Sequence, residues 1–81
     1  MFQIVQCRDV GSGEVCNQID ESNRIKEAKG LQKMHFKSHL EMVKNHHLDY
    51  WDDVDIDMEN FTLIAYDAER KVVYTYRVII R

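Results

Sequence analysis

Hydrophobic and polar positions alternate along several short stretches of the chain, a pattern that is typical of β-strands. Phe2 to Asp9 is rich in strand formers, and the glycine cluster Gly11-Ser12-Gly13 separates it from a second short run, Glu14 to Ile19. This layout predicts a β-hairpin. Residues 61–66 and 72–80 alternate most clearly, and the short polar turn between them predicts a second hairpin.

Between the two hairpins the apolar residues recur at helical spacing. Ser22 or Asn23 is a suitable N-cap, and the helical pattern then continues to about His47. Stepping about 100° per residue places one apolar stripe on the helix. Its members are Ile25, Ala28, Gln32, Phe36, His39 and Val43.

These elements occur in the order ββαββ, within a chain short enough to form a single domain over residues 1–81. A helix of about 25 residues spans about 37 Å, and a strand of about ten residues spans about 33 Å. The helix can therefore lie along the last strand. We predict an α+β fold in which a four-stranded, mainly antiparallel sheet carries one long helix packed across one face. The other face would be open to a partner or to a second copy in a homodimer.

The composition is that of an ordinary folded protein, with 44% hydrophobic residues, 31% charged residues and a net charge of -3. No apolar stretch approaches the roughly 18 to 20 residues that span a bilayer. The N-terminal residues also lack the pattern of a secretory signal. We therefore expect a cytoplasmic protein that does not enter a membrane.

The charge of the chain reverses at about residue 48. The predicted helix is basic, and its lysines cluster beside the apolar stripe, between about 40° and 120° on the helical wheel. The basic residues are Arg24, Lys26, Lys29, Lys33, Lys37 and Lys44. Residues 49–59 instead carry six acids and no base, interleaved with aromatic and aliphatic residues.

The acidic segment has two main interpretations. It can be a solvated connection whose apolar residues anchor it to the core. It can also be a binding patch, in which carboxylates compete with nucleic acid for the arginines and lysines of another protein, and aromatic residues provide anchors. The candidate partner-binding residues are Asp49, Tyr50, Trp51, Asp52, Asp53, Asp55, Asp57 and Glu59.

The lysine stripe also has two interpretations. Lysines along one side of a helix usually form its solvated face, where their alkyl stems cover apolar neighbours. The alternative is a nucleic-acid-binding module in which these lysines contact phosphates, although the acidic segment would repel the same polyanion unless it points away.

Metal sites and cofactors are not expected. Asp53, Asp55 and Asp57 have the spacing of the first acidic ligands of an EF-hand, but Met58 and Ile64 stand where the invariant glycine and the bidentate glutamate belong. Two pairs of histidines, at 35 and 39 and at 46 and 47, lack a third ligand at a suitable spacing.

Whether the two cysteines face each other depends on the register of the first hairpin. A two-residue loop at Gly11-Ser12 places Cys7 opposite Cys16, whereas a three-residue loop places Cys7 opposite Asn17. The like-charge pair Asp9 and Glu14 counts against the first register. For an apparently cytosolic protein we expect two reduced thiols, with a cross-strand disulfide as the alternative.

Catalysis is not expected, because neither a nucleophile motif nor a phosphate-cradling glycine loop is present. In size, compactness and charge layout the chain resembles the accessory inhibitors encoded by phages and other mobile elements, a likeness of composition that no motif carries. We therefore predict a small non-enzymatic protein-binding module, an inhibitor or adaptor that blocks a basic, nucleic-acid-handling surface. The alternatives are the nucleic-acid-binding module and a structural subunit that assembles with itself.

Overall fold

One helix lies across one face of an antiparallel sheet. The computed structural model describes residues 1–45 and 51–81 in full, and residues 46–50 only as part of the helix. The elements are β1 (Phe2–Asp9), β2 (Glu14–Ser22), α1 (Ile25–Tyr50), β3 (Asp53–Asp57), β4 (Thr62–Tyr66) and β5 (Lys71–Ile80). The strands lie in the order β2-β1-β5-β4-β3, and every neighbouring pair is antiparallel.

The α+β class, the helix and the antiparallel sheet are confirmed, but the predicted number of strands is wrong. The sheet has five strands and the element order is ββαβββ. The additional strand is β3, which lies inside the acidic segment. Its sequence, D-V-D-I-D, has a period of two, but aspartate is disfavoured in strands and the charge masked the alternation.

Helix α1 begins at Ile25, one or two residues later than the predicted N-caps imply, because Ser22 still belongs to β2. The Arg24 amide donates to Ser22 Oγ (3.1 Å), and the Ala28 amide donates to the Arg24 carbonyl (2.9 Å) at the start of the helix. Of the predicted apolar stripe, Ala28 and Phe36 are fully buried. Ile25, in the first turn, is 42% exposed. The helix therefore packs on the sheet through most of the predicted face.

The core lies between the helix and strands β4 and β5. Phe36 meets Phe61 and Tyr76 edge-on, with ring centroids 5.6 and 5.9 Å apart. Leu63 and Ala65 of β4 complete the fully buried cluster. Edge-to-face aromatic packing adds to the free energy gained by burial alone, so this cluster helps to fix the helix, which also packs against β1 and β2.

The first hairpin adopts the register in which Cys7 faces Cys16, and the two cysteines form a disulfide. The expectation of reduced thiols is therefore wrong for this structure. The pairing of Asp9 with Glu14 is tolerated because Arg77 of β5 neutralises Glu14. Both terminal guanidinium nitrogens of Arg77 donate to the carboxylate, Nη2 to Oε2 (3.1 Å) and Nη1 to Oε1. Asp9 is occupied separately, since its Oδ1 accepts from the Gly11 amide (2.7 Å).

In the part of the chain that the structure describes, no helix has both the length and the apolar character needed to cross a membrane.

Candidate protein-binding site on strand β3

Strand β3 forms one edge of the sheet and arranges its residues on two faces. Val54 packs against the core cluster on the helix side. Because successive side chains of a strand point to opposite faces, Ile56 also lies on the helix side, whereas Asp53, Asp55 and Asp57 lie on the face that the helix leaves uncovered. We call this second face the open face. The fold thus aligns three carboxylates of the acidic segment in one row.

Asp53 is held in place by hydrogen bonds. Its Oδ1 accepts from the Val54 amide (2.8 Å), and its Oδ2 accepts from the Tyr66 hydroxyl (3.1 Å), which lies opposite on β4. The hydrogen bond to Asp53, together with the negative charges of Asp53 and Asp55, raises the pKa of Tyr66. A raised pKa keeps this hydroxyl protonated, so it continues to orient the carboxylate.

Asp57 has a structural role at the end of the row. Its Oδ1 accepts from the amides of Glu59 (3.0 Å) and Asn60 (3.2 Å), and its Oδ2 accepts from Asn60 Nδ2 (2.8 Å). These hydrogen bonds, chiefly those from Asn60, lower the pKa of Asp57. The carboxylate therefore stabilises the turn from β3 to β4, and Glu59 is an exposed residue of that turn.

The row forms no salt bridge among the described residues, although Arg70 and Lys71 line a recess together with Asp55. Salt bridges there join Asp20 to His35, Asp67 to Arg70 and Glu14 to Arg77, and none includes an acid of β3. Because Asp53 and Asp55 are also exposed, their charges are available to a partner.

The aromatic anchors are placed differently from the acids. Trp51 is partly buried and packs against the core cluster, and the Arg70 guanidinium lies over its ring at 4.4 Å from the centroid. Asp52 is exposed just before β3. The side chains of Asp49 and Tyr50 lie outside the described residues, so their predicted roles stay predictions.

A small, mostly apolar cavity lies between α1 and β3 on the helix side of the strand, with Asp53 the one aspartate in its lining. It measures about 180 Å³. Its lining residues are Leu40, Val43, Lys44, Asp53, Val54, Ile56 and Leu63. Ile56, at its rim, is 49% exposed. Strand β3 therefore presents an acidic row on one face and an apolar recess on the other.

The basic residues of the alternative site are all on the helix layer. Each of the six is exposed: Arg24, Lys26, Lys29, Lys33, Lys37 and Lys44. The carboxylates of β3 lie on the open face, so the sheet separates them from most of these basic residues; Lys44 is the exception, because it lines the same cavity as Asp53.

His35 and His39 form hydrogen bonds with different partners. His35 Nε2 is 3.0 Å from Asp20 Oδ2, and this hydrogen bond lowers the pKa of Asp20. His39 Nδ1 is 2.8 Å from the Tyr76 hydroxyl. His46 and His47 lie outside the described side chains. One group with ligand spacing, Cys7, Glu14 and Cys16, occurs among the described residues, but its two sulfurs are bonded to each other.

The sequence did not indicate Tyr66 as a site residue, because its partner Asp53 was not assigned to a strand. Pairing D-V-D-I-D with residues 62–66 would have placed the tyrosine opposite the first aspartate. Comparisons with protein-family models, with curated proteins and with solved structures find no match to this chain.

Proposed function

We propose that this protein is a non-enzymatic binding module that covers a basic surface of another protein, such as a surface that handles nucleic acid. The observation that supports this function is the row of carboxylates on β3. Asp53 and Asp55 are exposed on the open face, form no salt bridge among the described residues, and belong to a strand at the edge of the sheet.

The spacing of the row suits competition with a phosphate backbone. Alternate residues of a strand are about 6.6 Å apart, whereas one strand of B-DNA carries a phosphate about every 3.4 Å along the axis. The row therefore offers, like a phosphate backbone, a regular series of negative charges a few ångströms apart. Arginine binds carboxylate and phosphate in similar bidentate geometry, so one basic surface can accept either.

A capture experiment tests this function with a matched control. The protein is immobilised and exposed to a cell extract at two salt concentrations, as wild type and as the double variant Asp53→Asn, Asp55→Asn. The control, Glu27→Gln, Glu41→Gln, removes two exposed acids from the helix instead. Each lost surface ion pair contributes up to about 1 kcal/mol, so the β3 variant should weaken binding about tenfold.

We expect basic proteins to be captured by the wild type and by the helix variant, and to be released by salt. Their capture by the β3 variant should fall. Equal capture by all three proteins would contradict the proposed function.

A second candidate function is nucleic-acid binding by the lysine face of α1. The supporting observation is the separation of charge, because the acids that would repel a polyanion lie on the opposite face of the sheet from the exposed lysines.

A further inference from the structure

We propose that the free edge of β3 binds an extended segment of the partner as a sixth strand, and that this segment alternates basic and aliphatic residues. This inference rests on the proposed function and defines the chemistry of the partner. Three features support it: the direction of the backbone groups of β3, the cavity beneath Ile56, and the charge of the open face.

The hydrogen-bonding pattern shows which groups of β3 point to the free edge. The Tyr76 amide donates to the Phe61 carbonyl (3.0 Å), so residue 61 and alternate residues after it direct their backbone groups toward β5. Thr62, Ile64 and Tyr66 therefore direct theirs toward β3.

In the β3 pairing these three residues face Asp57, Asp55 and Asp53. The intervening residues Val54 and Ile56 consequently direct their amides and carbonyls away from β4. The Val54 amide agrees with this, because it donates to Asp53 Oδ1 (2.8 Å). The Ile56 amide and carbonyl and the Val54 carbonyl then form the open part of the edge, a surface on which an added strand can pair.

The cavity determines which type of residue the added strand should place on the helix side. Directly opposed residues of paired strands share a face, so residues opposite Val54 and Ile56 lie above the recess between α1 and β3. The recess is about 180 Å³. This volume is below the roughly 300 to 1,000 Å³ of small-molecule sites, and its walls are mostly Leu, Val and Ile. It therefore suits an aliphatic side chain rather than a separate ligand.

The charge of the open face determines which type of residue should alternate with these aliphatic residues in the added strand. A residue opposite Asp55 lies on the open face, with Asp53 and Asp57 diagonal to it. A basic side chain there is favoured, and Lys44 at the recess disfavours one on the helix side.

A second copy of this chain does not fit the same edge. Pairing β3 with another β3 would place aspartates against aspartates, which is destabilising. The other sheet edge, β2, carries no basic residue either. The occupant that the charges favour is therefore a segment of a different protein.

The experiment uses end-blocked seven-residue peptides and the whole protein. The first peptide alternates arginine and valine, and the second has the same composition with its arginines grouped. A third carries N-methyl groups on its valines, whose amides would face β3, and a fourth carries them on its arginines, whose amides would face away. Dissociation constants are measured for each peptide, together with hydrogen exchange of the Ile56 amide.

We expect the alternating peptide to bind on the order of tenfold more tightly than the grouped one and to slow exchange at Ile56. Methylation of the valines should remove this advantage, whereas methylation of the arginines should change the affinity by less than about threefold. Asp55→Asn should weaken binding and Glu41→Gln should not.

Equal binding by the two methylated peptides would overturn strand addition and leave the proposed function standing, because arginines would still be captured. If none of the four peptides binds, strand addition is overturned, and the capture experiment with the Asp53→Asn, Asp55→Asn variant decides the proposed function separately.

Discussion

At the scale of single residues, Tyr76 joins the helix to the sheet through polar contacts. Its hydroxyl accepts from Gln6 Nε2 (2.7 Å) and lies 2.8 Å from His39 Nδ1. Its backbone carbonyl accepts from Gln32 Nε2 (2.7 Å). Burial raises the pKa of Tyr76 and lowers the pKa of His39, so both groups stay neutral and the hydroxyl can donate to the imidazole. These contacts fix the helix against β1 and β5.

The low pKa of His39 predicts that the protein loses stability in mild acid. The ordinary histidine pKa is 6.5, and burial lowers that of His39 in the folded protein. Between these two pKa values the unfolded chain binds more protons than the folded chain, so the free energy of unfolding falls as the pH falls below about 6.5. Urea unfolding at several pH values should show this decline.

The variant His39→Gln provides the comparison, because glutamine can accept from Tyr76 but does not titrate. Its stability should depend less on pH between 7 and 5 than that of the wild type. Parallel curves for the two proteins would contradict the assignment to His39.

At the scale of elements, the sequence predicted correctly those segments whose hydrophobic periodicity is not interrupted by a run of acidic residues. Both hairpins and the helix followed from clear periodicity, and Phe36 was on the predicted face. Strand β3 was missed because its inward residues, Val54 and Ile56, alternate with aspartates that read as solvent-exposed loop. The acids of the candidate site were identified, but their arrangement in a row requires the pairing with β4.

The register of the first hairpin was left open for a different reason. Glu14 is neutralised by Arg77, which lies 63 residues away in sequence. The rule that like charges on opposed strand positions repel each other considers only two strands, so it does not include a neutralising residue on a third strand. The disulfide requires the register that the like-charge pair counted against, and reduced thiols were expected for a cytosolic protein, so the disulfide was kept only as the alternative.

The disulfide predicts a specific loss of stability on reduction. Strand β2 is exposed along most of its length, with Ser22 its one buried residue, so packing holds it weakly. The two cysteines are nine residues apart in sequence, and closing so short a loop stabilises a protein by about 2 to 3 kcal/mol in the chain-entropy account.

Urea unfolding with and without a thiol reductant should show a difference of that size. Amide exchange of β2 should also accelerate, while exchange of β4 should change little, which serves as the internal control. Unaltered stability after complete reduction, verified by mass, would contradict this role of the disulfide.

At the scale of the whole molecule, the sheet lies between most of the lysines of α1 and the aspartates of β3. Five lysines and two glutamates lie on α1 between residues 25 and 45, whereas β3 carries three aspartates on the open face. A molecule with net charge -3 therefore still presents a basic side. The principal extents of 41 × 27 × 18 Å keep the two sides close enough for each to influence what approaches the other at low ionic strength.

This separation gives the second candidate function its own prediction. If the lysine face binds polyanions, the protein should be retained on heparin at low salt and released as salt rises. The variant Lys33→Gln, Lys37→Gln should elute earlier, and Asp53→Asn, Asp55→Asn should elute at the same salt concentration or later. Passage of the wild type through the column at low salt would exclude this candidate.

The pairing of β1 with β5 also has a consequence for how the chain acquires its structure. These neighbouring strands, at the middle of the sheet, are the first and the last in sequence, with Phe2 opposite Ile80. Contacts across so long a separation slow folding, because the chain must close a large loop before they form. During synthesis β1 and β4 cannot complete the sheet, and the amphipathic helix cannot pack on it, until β5 has been made. Until then the apolar surface of α1 has no complete sheet to cover, and it is open to chaperones.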